Sequence, residues 1–207
     1  PAEYNGTFAE VSTKAKRSGG FVMTGHTTKA IAAQGTKTDV AVTLERTVAK
    51  IAVQASTTAE FSERYSGKVR INSVVLSKAA SRSNLIAQQT PNTGPMTFTH
   101  TQAADELSGK FRNLFYVPEN GELAEGSRLL LTLGATYDRD GNFSTTDDQA
   151  DVTYPVELSG DGAGRFLRNG YYRVQALIDG LTGSELSVSI SVADWETPVT
   201  QSVNLGQ

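Results

Sequence analysis

The C-terminal segment SELSVSISVADWETPVTQSVNLGQ holds two alternating runs in succession, with a single proline between them. In the first run the apolar residues share one parity: Leu186, Val188, Ile190 and Val192. In the second run the apolar residues again share one parity: Val199, Val203 and Leu205. Because successive side chains of a strand point to opposite faces, each run predicts a strand with one buried side. The final strand either closes this molecule's own sheet or completes a sheet of another molecule.

The same alternation recurs along most of the chain, in short runs that turn residues separate. The clearest runs are KVRINSVVL, NLFYVPENG, SRLLLTLGATYD, ADVTYPVEL and YYRVQALI. Asp140–Gly141 and Asn169–Gly170 predict tight turns, because glycine accepts positive φ at low cost. Residues 88–110, with the turn-like TPNTGP, are predicted as loop. Many short strands with regularly spaced turns and almost no helix predict an all-β fold, an antiparallel β-sandwich.

The longest β-rich run is KTDVAVTLERTVAKIAVQAST, and its apolar parity changes near Arg46. This change predicts a bulge or a step between two strands. Helix is the competing interpretation, because Leu44, Val48 and Ile51 also fit helical spacing. The β-branched residues and flanking threonines favour strand.

Composition excludes several classes of function. With 207 residues the chain suffices for one large β domain or two small ones. The net charge of −3, without a basic block, argues against a nucleic-acid partner. No apolar stretch approaches the roughly 20 residues of a membrane span. The chain has no cysteine, which excludes thiolate metal sites, disulfides and cysteine nucleophiles. Because extracellular β domains often carry disulfides, the lack of cysteine also weakly favours a cytosolic location.

The sequence lacks a convincing catalytic constellation. His26 and His100 both stand in threonine-rich segments that are predicted as solvated loops, and no G-x-S-x-G elbow is present. The glycines of GDGAG precede a turn and a strand rather than a helix, so they predict a flexible loop and not a dinucleotide site. The acids of ENGELAEG are predicted to be solvated: Glu119, Glu122 and Glu125. We therefore predict that the protein is not an enzyme and has no cofactor.

The acidic stretch YDRDGNFSTTDDQAD is the best candidate for a calcium loop. Asp138, Asp140 and Asn142 have the alternate spacing of oxygen ligands, but Phe143 and Gln149 occupy the positions where an EF-hand needs glycine and glutamate. An irregular site remains an alternative, with ligands from three further acids: Asp147, Asp148 and Asp151. A hairpin turn with a solvated acidic tip is favoured, and no metal is predicted.

Several of these stretches, in this order, resemble the fimbrillin family, the type V pilus subunits of Bacteroidales. They are FVMTG with VAVTLERTVAKIAVQ, NLFYVPENG, FLRNGYYRVQALIDGLTG and LSVSISVADWETPVTQSVNL. The likeness runs from about Phe21 to the end of the chain. It implies a transthyretin-like β-sandwich without enzyme activity, exported as a lipoprotein precursor to the outer membrane and assembled into a cell-surface fimbrium.

The resemblance also implies how such subunits join. An arginine-specific protease removes an N-terminal strand, and a strand from a neighbouring subunit fills the groove. Arg17, in the basic stretch STKAKRSGG, is the cleavage candidate. The donor-strand candidates lie in the terminal run: Val199, Val203 and Leu205. The partners implied are other fimbrial subunits and a host surface protein or glycan, and the membrane is reached only through a precursor lipid anchor that maturation removes.

The chain departs from the family because most of an N-terminal domain is missing from it. Residues 1–45 are predicted as the remnant or tail of that domain, and residues 46–207 as the C-terminal β-sandwich with a terminal strand at 197–207. No signal peptide is visible at Pro1, which predicts a mature form, a cloning product or a fragment. The alternative function is a β-sandwich binding module or tip adhesin that recognises glycan or host protein through loops 88–105 or 138–151.

Overall fold

A computed structural model of the chain describes residues 3–4, 21–91, 93, 95–107, 110–195 and 199–204. Within these residues a short helix, α1 (Ala59–Arg64), follows the fourth of fourteen strands. The strands are β1 (Glu3–Tyr4), β2 (Met23–Thr24), β3 (Asp39–Arg46), β4 (Val48–Thr57), β5 (Lys68–Ala79), β6 (Ser83–Asn84), β7 (Phe98–Ala103), β8 (Glu106–Leu107), β9 (Lys110–Pro118), β10 (Leu130–Asp138), β11 (Gln149–Glu157), β12 (Gly170–Ile178), β13 (Leu186–Asp194) and β14 (Val199–Asn204). No helix among the described residues is long and apolar enough to span a membrane.

Two sheets pack face to face and form a β-sandwich. One sheet has the strand order β11-β10-β5-β7, and the other has the order β13-β12-β4-β9-β8. Two smaller sheets have the orders β14-β3-β2 and β1-β6. The predicted all-β sandwich is confirmed. Among the described strand pairs, β12 and β4 run parallel and the others run antiparallel, so the antiparallel sandwich contains one parallel pair.

The core lies between the two large sheets, where the inward parity of each strand is apolar. The five-stranded sheet contributes side chains that are at most 1% exposed, among them Ile51, Phe115 and Val174. The four-stranded sheet contributes fully buried leucines: Leu76, Leu131 and Leu133. Full burial of one such side chain is worth roughly 1.5–3 kcal/mol. Burial of the apolar side chains that alternate along the strands therefore holds the two sheets together.

The change of parity near Arg46 marks a boundary between two sheets. β3 ends at Arg46, β4 begins at Val48, and Thr47 between them is 1% exposed. The Thr47 amide donates to the Val22 carbonyl at 3.1 Å, so the chain is fixed at the point where it passes from one sheet to the next. The strand interpretation of this run is confirmed, and the helical alternative is wrong.

Both predicted tight turns are present. Gly141 has φ of 75°, the left-handed conformation that the turn between β10 and β11 requires. Asn169 has φ of 57°, which asparagine tolerates better than most residues, and its amide donates to the Val48 carbonyl at 2.9 Å. Local residue chemistry therefore places these two reversals correctly.

The prediction of a loop over residues 88–110 is wrong in its second half, where β7 and β8 lie. The inward positions of β7 include His100 and Gln102, so the strand lacks the apolar alternation by which the others are recognised. Gln102 donates to the Leu114 carbonyl at 2.8 Å, and Asn113 donates to the Gln102 side chain at 2.8 Å. Polar contacts thus close the sandwich between β7 and β9.

Candidate functional site: the terminal strand and its surroundings

The terminal strand β14 pairs with β3 in a sheet that is separate from the two sheets of the sandwich. The pairing is antiparallel and runs from Val199 opposite Leu44 to Asn204 opposite Asp39. β2 pairs with β3 only at Glu45 and Arg46, so residues 39–44 of β3 have β14 on one edge and no described strand on the other. This three-stranded ribbon is the candidate site.

The donor-strand candidates fall partly within this ribbon. Val199 lies opposite Leu44 and Val203 lies opposite Val40, so two apolar residues of β14 stand in register with two apolar residues of β3. Leu205 and the cleavage candidate Arg17 lie outside the described residues. The structure therefore brings two predicted residues to one strand pair.

The apolar side of β3 is only half-buried. Asp39, Ala41 and Thr43 are exposed, and the alternate residues Val40 and Val42 have intermediate exposure. By contrast, apolar side chains of β4, the next strand in the chain, are almost fully buried. β3 thus keeps apolar surface that the core of the sandwich does not cover.

Trp195 anchors the chain directly before it leaves the sandwich for β14. Its side chain is 6% exposed and stacks on the Tyr116 ring, with centroids 5.6 Å apart. The ring of Phe21 packs edge-on against it at 5.3 Å, and the Arg46 guanidinium lies 4.6 Å from its centroid. The prediction that Trp195 is a core or rim anchor is confirmed.

A buried ion pair lies under the same end of the molecule. The side chains of Arg168 and Glu119 are each 4% exposed, and Arg168 Nη2 donates to Glu119 Oε1 at 2.5 Å. Arg168 also donates to the carbonyls of Asn84 and Leu85, at 2.5 and 2.9 Å. The prediction of a solvated Glu119 is wrong, because the matching arginine lies 49 residues along the chain, in the segment FLRNGYY. Arg168 is not among the candidate site residues predicted from the sequence.

Three acids of the predicted calcium loop meet at the β10–β11 turn. A carboxylate oxygen from each of Asp138, Asp140 and Asp148 lies within 4.8 Å of the other two. Backbone amides already reach this group: Asn142 N donates to Asp138 Oδ1 at 2.9 Å, and Asp140 N donates to Asp148 Oδ2 at 3.1 Å. Such contacts close a hairpin turn, which is the interpretation that the sequence favoured. Asp151, another of the candidate ligands, lies outside this group and accepts from the Thr136 hydroxyl at 2.7 Å.

Hydrogen bonding separates the pKa values of two of these carboxyl groups. Burial alone would raise the pKa of Asp138, but hydrogen bonds from the Gln149 side chain and from other turn groups lower it overall. The amide of Asn142 works to lower the pKa of Asp140, but the contact with Asp138 and burial outweigh it, so this pKa is raised. The fold therefore favours a charged Asp138 and a proton on Asp140 as pH falls.

His100 is buried in the core and is not the solvated loop residue that the sequence predicts. It is 3% exposed, and neither ring nitrogen has a hydrogen-bond partner. The ring lies 4.4 Å from that of Phe98 and 6.4 Å from that of Phe115. Burial lowers the pKa of His100 to about 4. The interior thus holds a neutral imidazole, whereas exposed His26 is in the loop that was predicted.

We expect His100 to make folding sensitive to acid. The unfolded chain binds a proton at this residue near pH 6.5 and the folded chain only near pH 4, so its contribution is complete above pH 6.5 and is lost as pH falls toward 4. The loss is about 3 kcal/mol. Urea titration at both ends of this range is expected to show a smaller loss for His100→Phe. His26→Gln is the control, and an equal loss in wild type and His100→Phe would contradict the prediction.

No protein-family model and no curated protein matches the chain. Solved structures do match it. A candidate cell adhesion protein from Parabacteroides distasonis ATCC 8503 matches with a TM-score of 0.53 and 15% identity, over 73% of this chain and 53% of that one. A second protein of the same description and organism matches with a TM-score of 0.50 and 15% identity, over 75% of this chain and 60% of that one. A fimbrilin from Porphyromonas gingivalis W83 matches with a TM-score of 0.47 and 17% identity, over 73% of this chain and 59% of that one.

These matches concern the fold. The chain spans only between half and three fifths of the length of these proteins. The likeness to fimbrial and adhesion proteins of Bacteroidales that the sequence predicts is confirmed at the level of the fold.

Proposed function

We propose that the chain is a structural subunit of a bacterial surface fimbria, and that it assembles with other subunits by donating β14. The similarity of its fold to fimbrial and cell adhesion proteins supports the fimbrial part of the proposal. The observation that carries the strand-donation part is the position of β14. It pairs with β3 in a ribbon apart from the sandwich, so its removal leaves both large sheets intact.

The physical argument concerns the exposure and stability of the ribbon. An isolated pair of strands is marginally stable in water, because it has no second layer against which to bury its apolar side. Insertion into a neighbouring sheet satisfies both edges of a strand and buries its apolar residues. Burial of Val199, Val203 and Leu205 would contribute roughly 4–9 kcal/mol as an upper range. This gain is comparable to the stability of a whole domain, about 5–15 kcal/mol.

The proposal extends to the chain as a whole. Residues 1–45 belong to the tail of an N-terminal domain and residues 46–207 form the C-terminal domain, a division supported by the passage from one sheet to another at Thr47. Arg17 is the site at which an arginine-specific protease matures the subunit. The protein is located in a fimbrium at the cell surface, after export as a lipoprotein precursor, and it has no catalytic role.

Deletion of residues 197–207 tests the proposal. We expect the shortened chain to lose polymerisation, measured by light scattering and electron microscopy, because no strand is left to insert. Cooperative urea unfolding should persist, because β14, the described part of the deleted segment, lies outside both large sheets.

A matched pair of variants isolates the apolar positions of β14. Val199→Asp with Val203→Asp is expected to abolish polymerisation, whereas Thr200→Asp with Ser202→Asp adds the same charge at the polar parity and should retain most of it. Polymerisation of the shortened chain at the wild-type rate would refute donation. Loss of cooperative unfolding on deletion would show instead that β14 belongs to this molecule's own fold.

A further inference from the structure

Three basic residues that are far apart in the sequence lie close together on the outer face of the five-stranded sheet. Three successive rows of outward positions cross β13, β12, β4 and β9. Each row holds one cation: Lys50 in the first, Arg173 in the second and Arg112 in the third. Within these four strands none of the three rows holds an acid, although the whole chain carries a net charge of −3. On the β8 side Asp105 lies next to Arg112, whose backbone amide donates to the Asp105 carbonyl at 2.6 Å. The face is therefore a local positive region on an acidic protein.

The two arginines of this face are available to a ligand. Both are exposed, and among the described side chains no carboxylate lies within ion-pairing distance of either guanidinium. Strand spacing and rise place their Cα atoms about 12 Å apart, two strands across and two residues along. Carboxylates on alternate sugar units of a chain, with one uncharged unit between them, can bridge a separation of this kind.

A groove of about 400 Å³ lies between them. Ala52 forms part of its floor, where the small side chain leaves a depression beside Arg173. Its walls carry uncharged hydrogen-bonding side chains: Gln54, Gln175, Ser189 and Ser191. Amides and hydroxyls both donate and accept hydrogen bonds, as the hydroxyl groups of a sugar do.

We propose that this groove binds an acidic polysaccharide, with Arg112 and Arg173 pairing with carboxylates of uronic-acid units and the polar walls binding the hydroxyls. Charge complementarity supports an anionic ligand, because arginine pairs with carboxylates in a planar, two-point geometry. The site lies on a sheet face and not on the loops 88–105 or 138–151. The inference does not depend on strand donation, because it concerns the folded monomer.

Two other anionic ligands fit the face less well. An acidic polypeptide would need apolar anchors at the centre of its interface, and the groove walls are mainly polar. Single-stranded nucleic acid would need exposed aromatic platforms for its bases. The nearby Trp195 is buried and stacked on Tyr116, and Tyr171 has Lys50 and Arg173 over its ring.

Binding of hyaluronan oligosaccharides to the full chain, measured by calorimetry at low salt, tests the inference. We expect wild type to bind hyaluronan but not neutral dextran, and binding to weaken in about 0.3 M salt. Arg112→Gln with Arg173→Gln should weaken binding about tenfold, because two exposed charge pairs together are worth about 1–2 kcal/mol. Both residues are exposed, so the urea midpoint of the double variant should stay at that of wild type.

The control is Arg70→Gln with Arg139→Gln, which removes the same charge from the end of the other sheet, where both residues are exposed. Retained binding in this control supports a site in the groove. Absence of wild-type binding to hyaluronan, or equal losses in the two double variants, would overturn the proposal. Tighter binding of poly-glutamate or of an oligothymidylate than of hyaluronan would overturn the carbohydrate assignment in favour of that ligand.

Discussion

Arg168→Met is expected to destabilise the fold by about 3–5 kcal/mol, because it leaves the buried Glu119 carboxylate without its charge partner. The variant also removes the donor to the carbonyls of Asn84 and Leu85. Buried acceptors that lose their donors carry a desolvation cost of their own. Urea unfolding of wild type and variant measures the difference directly.

Arg165→Met is the matched control for this result. The Arg165 side chain is 39% exposed and pairs with Asp161 and Glu122 at the surface. Exposed pairs of this kind are worth at most about 1 kcal/mol, so the same chemical change should cost little there. The two arginines thus separate the effect of burial from the effect of charge pairing.

The double variant Arg168→Met with Glu119→Leu completes the test. Removal of both charges leaves no unpaired ion, so the double variant should be more stable than the sum of the single losses predicts. Simple additivity of the two single variants, or a cost below 1 kcal/mol for Arg168→Met, would contradict a coupled buried pair.

Local patterns in the sequence predict most of the fold. The strands with alternating apolar residues, the turns at Gly141 and Asn169 and the break at Thr47 all follow from rules that act over a few residues. The same rules do not predict β7, because the polar residues His100 and Gln102 occupy its inward positions and contact the core or the opposite sheet. Where the inward positions are polar, apolar and polar residues do not alternate along the sequence, and this pattern cannot predict the strand.

The features that distinguish this molecule depend on contacts between distant segments. Glu119 meets Arg168 only because β9 and the segment before β12 are brought to one end of the sandwich. The outer face of the five-stranded sheet takes one cation from each of three strands, and the strand order that makes them neighbours includes the parallel pair of β12 with β4. Single-sequence patterns contain the residues of these sites but not the register that assembles them.

Trp195→Ala is expected to cost about 3–5 kcal/mol, the usual range when a large buried aromatic side chain is truncated to a methyl group. Trp195 fills the space between Phe21, Tyr116 and Val48, which alanine leaves as a cavity. The same contacts fix the chain just before β14. We therefore expect Trp195→Ala also to reduce the amide exchange protection of β14 and β3, beyond its effect on the sandwich.

Two further variants separate anchoring from general loss of apolar surface. Trp195→Phe keeps an aromatic ring against Tyr116 and should lose less than half as much stability. Val192→Ala removes apolar atoms three residues earlier, at a side chain that is 56% exposed, and should stay within about 0.5 kcal/mol of wild type. If Trp195→Ala left the exchange of β14 unchanged relative to β12, Trp195 would stabilise the sandwich alone. The position of the terminal strand would then depend on its pairing with β3 and not on the anchor that precedes it.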